Sequence, residues 1–208
     1  MKRCTVIAVS ALIACCVVGQ ANAEAIGTIG PFTGAKSEGF ESLPFGFFMS
    51  HPVFNNQGVV RTIDGSSSLL ITSSWAFTGT VFPNSGSRFM GSAGALPEWV
   101  FDVPALQFGG YFTTNSGTSD ARARFYDVNN VLLADLLVTA PANNSWVWNG
   151  WEVLSGPGIK RVVIDGLNPF GGGFIMHDDM EYTPIPAPGV LGLFAIGLGM
   201  ARRRRRTA

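Results

Sequence analysis

Residues 121–139 read ARARFYDVNNVLLADLLVT. In the first part of this stretch, Arg122, Arg124 and Tyr126 fall on one parity and Ala123 and Phe125 on the other. A period of two is the period of a strand, because successive side chains leave opposite faces of a pleated backbone. Asn129 and Asn130 come next, and asparagine tolerates the left-handed dihedrals that a tight turn requires. The apolar run from Val131 then supplies a returning strand. The stretch therefore predicts a β-hairpin with one buried face.

The same signature recurs on both sides of the hairpin. Residues 68–74, 98–103, 106–114, 145–153, 159–167 and 174–183 are short runs of β-branched and aromatic residues separated by turn formers. Between the chain ends no segment keeps a 3.6-residue period, and no repeat of fixed length is present. Many short strands with regular turns predict an all-β fold, a β-sandwich of the jelly-roll kind.

The two ends of the chain read differently. Residues 1–23, MKRCTVIAVSALIACCVVGQANA, begin with Lys2 and Arg3, continue apolar, and close on Ala21 and Ala23 around Asn22. This is the pattern of a secretory signal peptide, with cleavage expected after Ala23. Residues 184–208 read PIPAPGVLGLFAIGLGMARRRRRTA. The uncharged run from Val190 to Ala201 would span about 18 Å as a helix, against a bilayer core of about 30 Å. It is expected to be a short, weakly held transmembrane helix. Arg202, Arg203, Arg204, Arg205 and Arg206 would reach the headgroups and keep the terminus on the cytoplasmic side. The expected organisation is a signal peptide at 1–23, a β-sandwich at 24–183 and a sorting tail at 184–208.

Charge is partitioned among these parts. The chain is formally neutral, with 14 basic and 14 acidic residues. All the acidic residues lie between the two ends, with only Lys36, Arg61, Arg88, Arg122, Arg124, Lys160 and Arg161 to oppose them. The central domain thus carries a net charge of about −7, which argues against nucleic acid as a partner, because phosphate contacts need basic patches. Cys4, Cys15 and Cys16, the three cysteines of the chain, all lie in the N-terminal segment. The exported domain is expected to have no disulfide, no thiol nucleophile and no cysteine-bound metal.

Taken together, the proline stretch with Pro186, Ala187 and Pro188, the apolar run and the arginine cluster resemble the PEP-CTERM sorting signal of Gram-negative bacteria. The usual Pro-Glu-Pro has Ala187 in its middle position here. The resemblance implies recognition and processing by an exosortase, a transient stay in the inner membrane, and delivery to the cell surface or to an exopolysaccharide matrix, as in a biofilm. The order of GFESLPFG, ARFYDVNNVLL, WNGWEV, IKRVVIDG and HDDMEY along the chain is similar to the jelly-roll ectodomains of such proteins. Those resemble galactose-binding-like carbohydrate-binding modules.

Catalytic signals are few. His51 and His177 are the only histidines, and neither a Gly-x-Ser-x-Gly elbow nor a zinc-binding spacing occurs. The glycines at 171–173 read as a turn. Trp146 and Trp148 share one parity, so they either stack on a sugar ring or fill the core. Trp75 and Trp99 read as core. In HDDMEY, alternation puts Asp179 and Glu181 on one face and Asp178 on the other. In a jelly roll the first and last strands commonly lie side by side. Glu41, near the start of the fold, could then meet Asp178 or Asp179 and bind calcium, which takes oxygen ligands. The same carboxylates could instead be a solvated strand edge. The leading expectation is an exported, non-enzymatic surface or matrix protein. A carbohydrate-binding module with an aromatic face is the alternative, and a secreted glycoside hydrolase with paired carboxylates is the third reading.

Overall fold

A computed structural model describes residues 25–63, 68–76, 80–92, 95–115, 121–142, 144–166 and 174–186. The signal-peptide expectation, with Ala21 and Ala23, lies outside the described residues, as do Ala187, Pro188, the apolar run and Arg202–Arg206 of the tail. Among the described residues there are only strands, and no helix is long and apolar enough to cross a membrane.

The strands are numbered in chain order. The first five are β1 Ile26–Ile29, β2 Lys36–Glu38, β3 Gly46–Phe48, β4 Ser50–Val53 and β5 Gly58–Thr62. The next five are β6 Leu69–Thr72, β7 Trp75–Ala76, β8 Thr80–Val81, β9 Phe89–Ser92 and the long β10 Pro97–Thr114. The last five are β11 Arg122–Tyr126, β12 Leu132–Leu137, β13 Val147–Val153, β14 Ile159–Asp165 and β15 Ile175–Pro184.

β10 organises the molecule. Residues 97–101 lie between β5 and β14, whereas residues 107–112 lie between β13 and β15. One strand therefore serves two sheets. The first sheet runs β4-β5-β10-β14-β11-β12, and the second runs β1-β13-β10-β15-β9-β6-β3, with β2 beside β15. All pairings are antiparallel. The sequence pattern suggested two strands here, 98–103 and 106–114. They are one strand because the break at Asp102, Val103 and Pro104 is a corner, where the register with β14 shifts. Strands that change sheets do so at such bends, and a proline without an N–H fits there. Other groups satisfy the corner's backbone: Lys160 Nζ donates to Asp102 O, and Tyr182 Oη donates to Val103 O at 2.5 Å.

Between the sheets lies an aromatic core. Trp99, Phe101, Phe108, Phe112, Phe125, Trp151 and Tyr182 are buried. The Phe101 and Tyr182 rings stack with centroids 4.7 Å apart, and Trp151 meets Phe108, Phe112 and Phe125. Each such pair contributes about 0.5–1.5 kcal/mol beyond its buried area. Trp99 is core as expected. Trp75 is half-buried in a smaller cluster with Phe174, over Gly91.

The hairpin at 121–139 forms as its alternation predicts. Ala123 and Phe125 are buried, and Arg122, Arg124 and Tyr126 face outward. Asn130 adopts the left-handed conformation (φ 64°), and Asp127 Oδ1 accepts from the N–H groups of Asn129 and Val131. The elements without a sequence signal are β1–β5 and β7–β9. They are two to five residues long and interrupted by Gly46, Pro52 and Gly58, so they are too short to show a period.

Candidate functional site: the outer face of the second sheet

Three strands of the second sheet set side chains in register on the face turned away from the core. Asp178 of β15 lies opposite Tyr111 of β10, which lies opposite Trp148 of β13. In the next row Glu181, Gly109 and Gly150 are opposite one another, and beyond them are Thr183, Gln107 and Glu152. Rows two residues apart share a face. The face thus has an aromatic side, a glycine floor and a polar side.

Trp148 covers the floor. A Cβ on Gly109 would lie 2.9 Å from Trp148 Cζ2, and one on Gly150 would lie 2.6 Å from Trp148 Nε1. The indole therefore lies against the sheet, where only a glycine pair leaves room for it. Trp148 Nε1 donates to Ile29 O at 3.3 Å. Phe32 and Tyr111 approach the indole edge-to-face, with centroids at 5.5 and 5.4 Å. All three rings are half-buried.

Trp146 is held elsewhere on the same sheet. Its ring packs on Phe89 beside Val81 and Met176, and its Nε1 donates to Phe82 O at 2.9 Å. The two tryptophans are therefore not one platform: Trp146 packs on Phe89 and holds the Phe82 carbonyl, and Trp148 lies over the glycine pair. Phe32 and Tyr111 carried no sequence signal, because only the register brings residues 32, 111 and 148 together.

The carboxylates Glu41, Asp178 and Asp179 converge on one loop, residues 84–88. Alternation had separated Asp178 from Asp179. The structure corrects this: between Gly109 and Tyr111 the β15 register shifts, and Asp179 takes a left-handed conformation (φ 46°). A bulge of this kind inserts one residue and re-aims its side chain. Both aspartates then meet the loop. Asp178 Oδ2 accepts from Asn84 N (2.7 Å) and Ser85 N (3.3 Å), and Asp178 Oδ1 accepts from Asp179 N. Asp179 accepts from Asn84 Nδ2 (2.8 Å) and Ser85 Oγ (2.7 Å). Glu41 accepts from Ser87 N, Ser87 Oγ and Arg88 N at 2.7–3.0 Å. A Cβ on Gly86 would fall 2.2 Å from Glu41 Oε1, and this residue has φ +59°, so the loop needs glycine there. The oxygens that calcium would use are thus engaged by loop donors. Among the described residues, no group of three or more His, Cys, Asp or Glu stands ready to hold a metal ion.

Protonation follows from these surroundings. Burial, and then the neighbouring Asp179 charge, push the Asp178 carboxyl up to about 7, against the N–H groups that favour its anion. Burial also holds Glu181 above the ordinary glutamate value, although it accepts from Gly34 N. The Ser87 hydroxyl and N–H hold Glu41 below its ordinary value. His177, fully buried against Trp99 and Phe112, is driven down to about 3 by desolvation, and neither ring nitrogen has a hydrogen-bond partner. His51 is at the surface edge, its Nδ1 2.8 Å from Pro52 O.

No protein-family model matches the chain, and no curated protein matches it. Several solved structures resemble it in part. The K2 cleaved adhesin domain of Lys-gingipain is 15% identical and is matched over 71% of this chain and 96% of its own, with a TM-score of 0.49. The CBM22-1 xylan-binding domain of Paenibacillus barcinonensis Xyn10C is 13% identical over 76% of this chain and 100% of its own, with a TM-score of 0.43. A family 29 carbohydrate-binding module, CBM29-2, is 8% identical over 70% and 99%, with a TM-score of 0.36.

Proposed function

We propose that this chain is an exported, non-catalytic domain that binds polysaccharide on the outer face of its second sheet. The observation that carries the reading is the indole of Trp148, laid over Gly109 and Gly150 and flanked by Tyr111 and Phe32. An aromatic face on an open sheet suits the apolar C–H face of a sugar ring. Gln107, Glu152, Glu181 and Thr183, two rows or fewer away, offer hydrogen-bonding partners for its hydroxyl groups.

Retardation in native gels containing soluble polysaccharides, including the exopolysaccharide of the producing organism, tests this reading. The wild-type protein should be retarded by at least one polymer. Trp148→Ala should weaken that binding by roughly thirtyfold, the effect of losing a central aromatic anchor. Phe47→Ala removes an exposed ring on β3 and should leave binding intact. Equal loss in both variants, or no retardation of the wild type by any polymer, would defeat the proposal.

A second element of the proposal concerns the tail. Pro184 still pairs with Ala105, Ile185 N donates to Pro104 O at 2.9 Å, and Pro186 is exposed. Pro186, the first residue of the Pro-Ala-Pro stretch, is thus open to solvent, as recognition by an exosortase would require. Intact mass spectrometry of protein recovered outside the producing cell should show a form without Arg202–Arg206. Retention of the whole arginine cluster would count against processing.

A further inference from the structure

We propose that the polymer taken on the outer face of the second sheet carries free amino groups, and that Glu152 and Glu181, on two sides of the Trp148 indole, bind its ammonium groups. The inference rests on the polysaccharide reading above and names the class of sugar. Gly109 and Gly150 form the floor under the indole. Along β13, Glu152 stands one row beyond Gly150, a step of about 7 Å. Across the sheet, Glu181 stands one strand beyond Gly109, a step of about 5 Å. A sugar laid against the ring therefore has a carboxylate at the end of the floor and another at its side.

Both carboxylates have capacity to spare. Glu152 is half-buried, and its side chain has no hydrogen-bond or ionic partner among the described residues. Glu181 accepts from Gly34 N through Oε2 at 2.8 Å, and its Oε1 has no partner among the described residues. Burial holds the Glu181 carboxyl above its ordinary value, so a cation brought beside it favours the anion again. Asp178 and Asp179 have no such capacity, because Asn84 and Ser85 already donate to them.

No cation of the described protein answers them. β1, β10, β13, β15 and the segment 30–35 that joins β1 to β2 contain no lysine or arginine. Lys36 of β2 is opposite Tyr182, whose ring is in the core, so it leaves the sheet on the other face. Arg61, Arg122, Arg124 and Arg161 belong to the first sheet and pair there with Glu98, Asp135 and Asp165. Lys160 and Arg88 donate to the carbonyls of Asp102 and Leu43. A uronate or sulfated polymer would meet uncompensated negative charge on this face, and a neutral polymer would gain stacking alone. An amino sugar gains two further terms. Its ammonium donates charge-assisted hydrogen bonds to the carboxylates, and a cation is attracted to the face of an indole.

Calorimetric titration of the full chain with glucosamine and N-acetylglucosamine hexasaccharides, which share one backbone, provides the test. At mildly acidic pH and low salt the free amine should bind about tenfold more tightly, and added salt should narrow the difference. Glu152→Gln and Glu181→Gln should each reduce that preference roughly threefold and leave affinity for the acetylated sugar unchanged, since glutamine keeps an acceptor for Gly34 N. Asp102→Asn removes one negative charge at the exposed corner of β10 and should leave the preference intact. Equal affinity for the two sugars would overturn the amino-sugar assignment and leave the polysaccharide reading standing. A preference that survives both glutamine variants, or that Asp102→Asn reduces as much, would also overturn it, because the attraction would then be to the net charge of the domain. A wild type that binds neither hexasaccharide would overturn it as well, while gel retardation by other polymers would decide the polysaccharide reading separately.

Discussion

Between pH 7.5 and 4.5, His177→Phe should gain stability and Asp178→Asn should lose it, while the wild type changes little. His177 is neutral in the fold at about 3, against an ordinary value of 6.5. Its contribution is complete above pH 6.5 and is lost as pH falls, because the unfolded chain binds a proton that the folded chain refuses. Asp178 has the opposite sign. Its folded carboxyl titrates at about 7, against an ordinary 3.8. Its contribution is complete below pH 3.8 and is lost as pH rises towards 7. At about 1.4 kcal/mol per pH unit, each residue accounts for roughly 3 kcal/mol across the window. In the wild type the two slopes cancel between pH 6.5 and 3.8, and below that range the histidine alone destabilises the fold. Urea midpoints across the pH series would reveal the pair. His177→Phe keeps an aromatic ring beside Trp99 and Phe112 and should be more stable in acid than at neutrality. Asp178→Asn starts lower, since an amide serves three N–H donors less well, but the informative quantity is its slope. Parallel slopes in the two variants would refute this account.

Glu98→Ala should destabilise the domain by about 3–5 kcal/mol, the usual cost of removing one partner from a buried ion pair. Glu98 is 3% exposed on the outward face of β10. Arg161 Nη1 meets its Oε1 at 2.9 Å and Arg61 Nε its Oε2 at 2.5 Å. Arg161 is itself only 16% exposed, and its guanidinium stacks on the Tyr126 ring at 3.7 Å and donates to Asn130. Removing Glu98 leaves that guanidinium half-desolvated without a counter-charge. For a chain of this size the loss corresponds to a fall in melting temperature of roughly 6–20 °C. The double variant Glu98→Leu with Arg161→Met removes both charges and should recover most of the loss. A single variant within 1 kcal/mol of wild type would show that water reaches Arg161 freely.

The sequence by itself determined the class of fold and seven of the fifteen described strands, including every one longer than five residues. Alternation over Arg122–Tyr126 and the Asn129-Asn130 turn are local facts, and a period of two has one structural meaning. The acidic balance and the placement of all cysteines in the N-terminal segment were equally plain. The sequence also drew attention to Glu41, Asp178 and Asp179; in the fold each accepts hydrogen bonds from loop 84–88.

Tertiary structure decided the rest, because each remaining feature depends on residues far apart in the chain. A bulge at Asp179 reversed the face that alternation assigns, and the three carboxylates accept hydrogen bonds from loop 84–88. Trp146 and Trp148 share a parity but not a role: one packs on Phe89 and holds the Phe82 carbonyl, and the other lies over a glycine pair contributed by two strands. Phe32 joins that site from a loop more than a hundred residues away. Strand periodicity records only which side of its own strand a residue takes. Which residues oppose one another across a sheet depends on registers, corners and bulges, and these are fixed when the two sheets close over Trp99, Phe101 and Trp151.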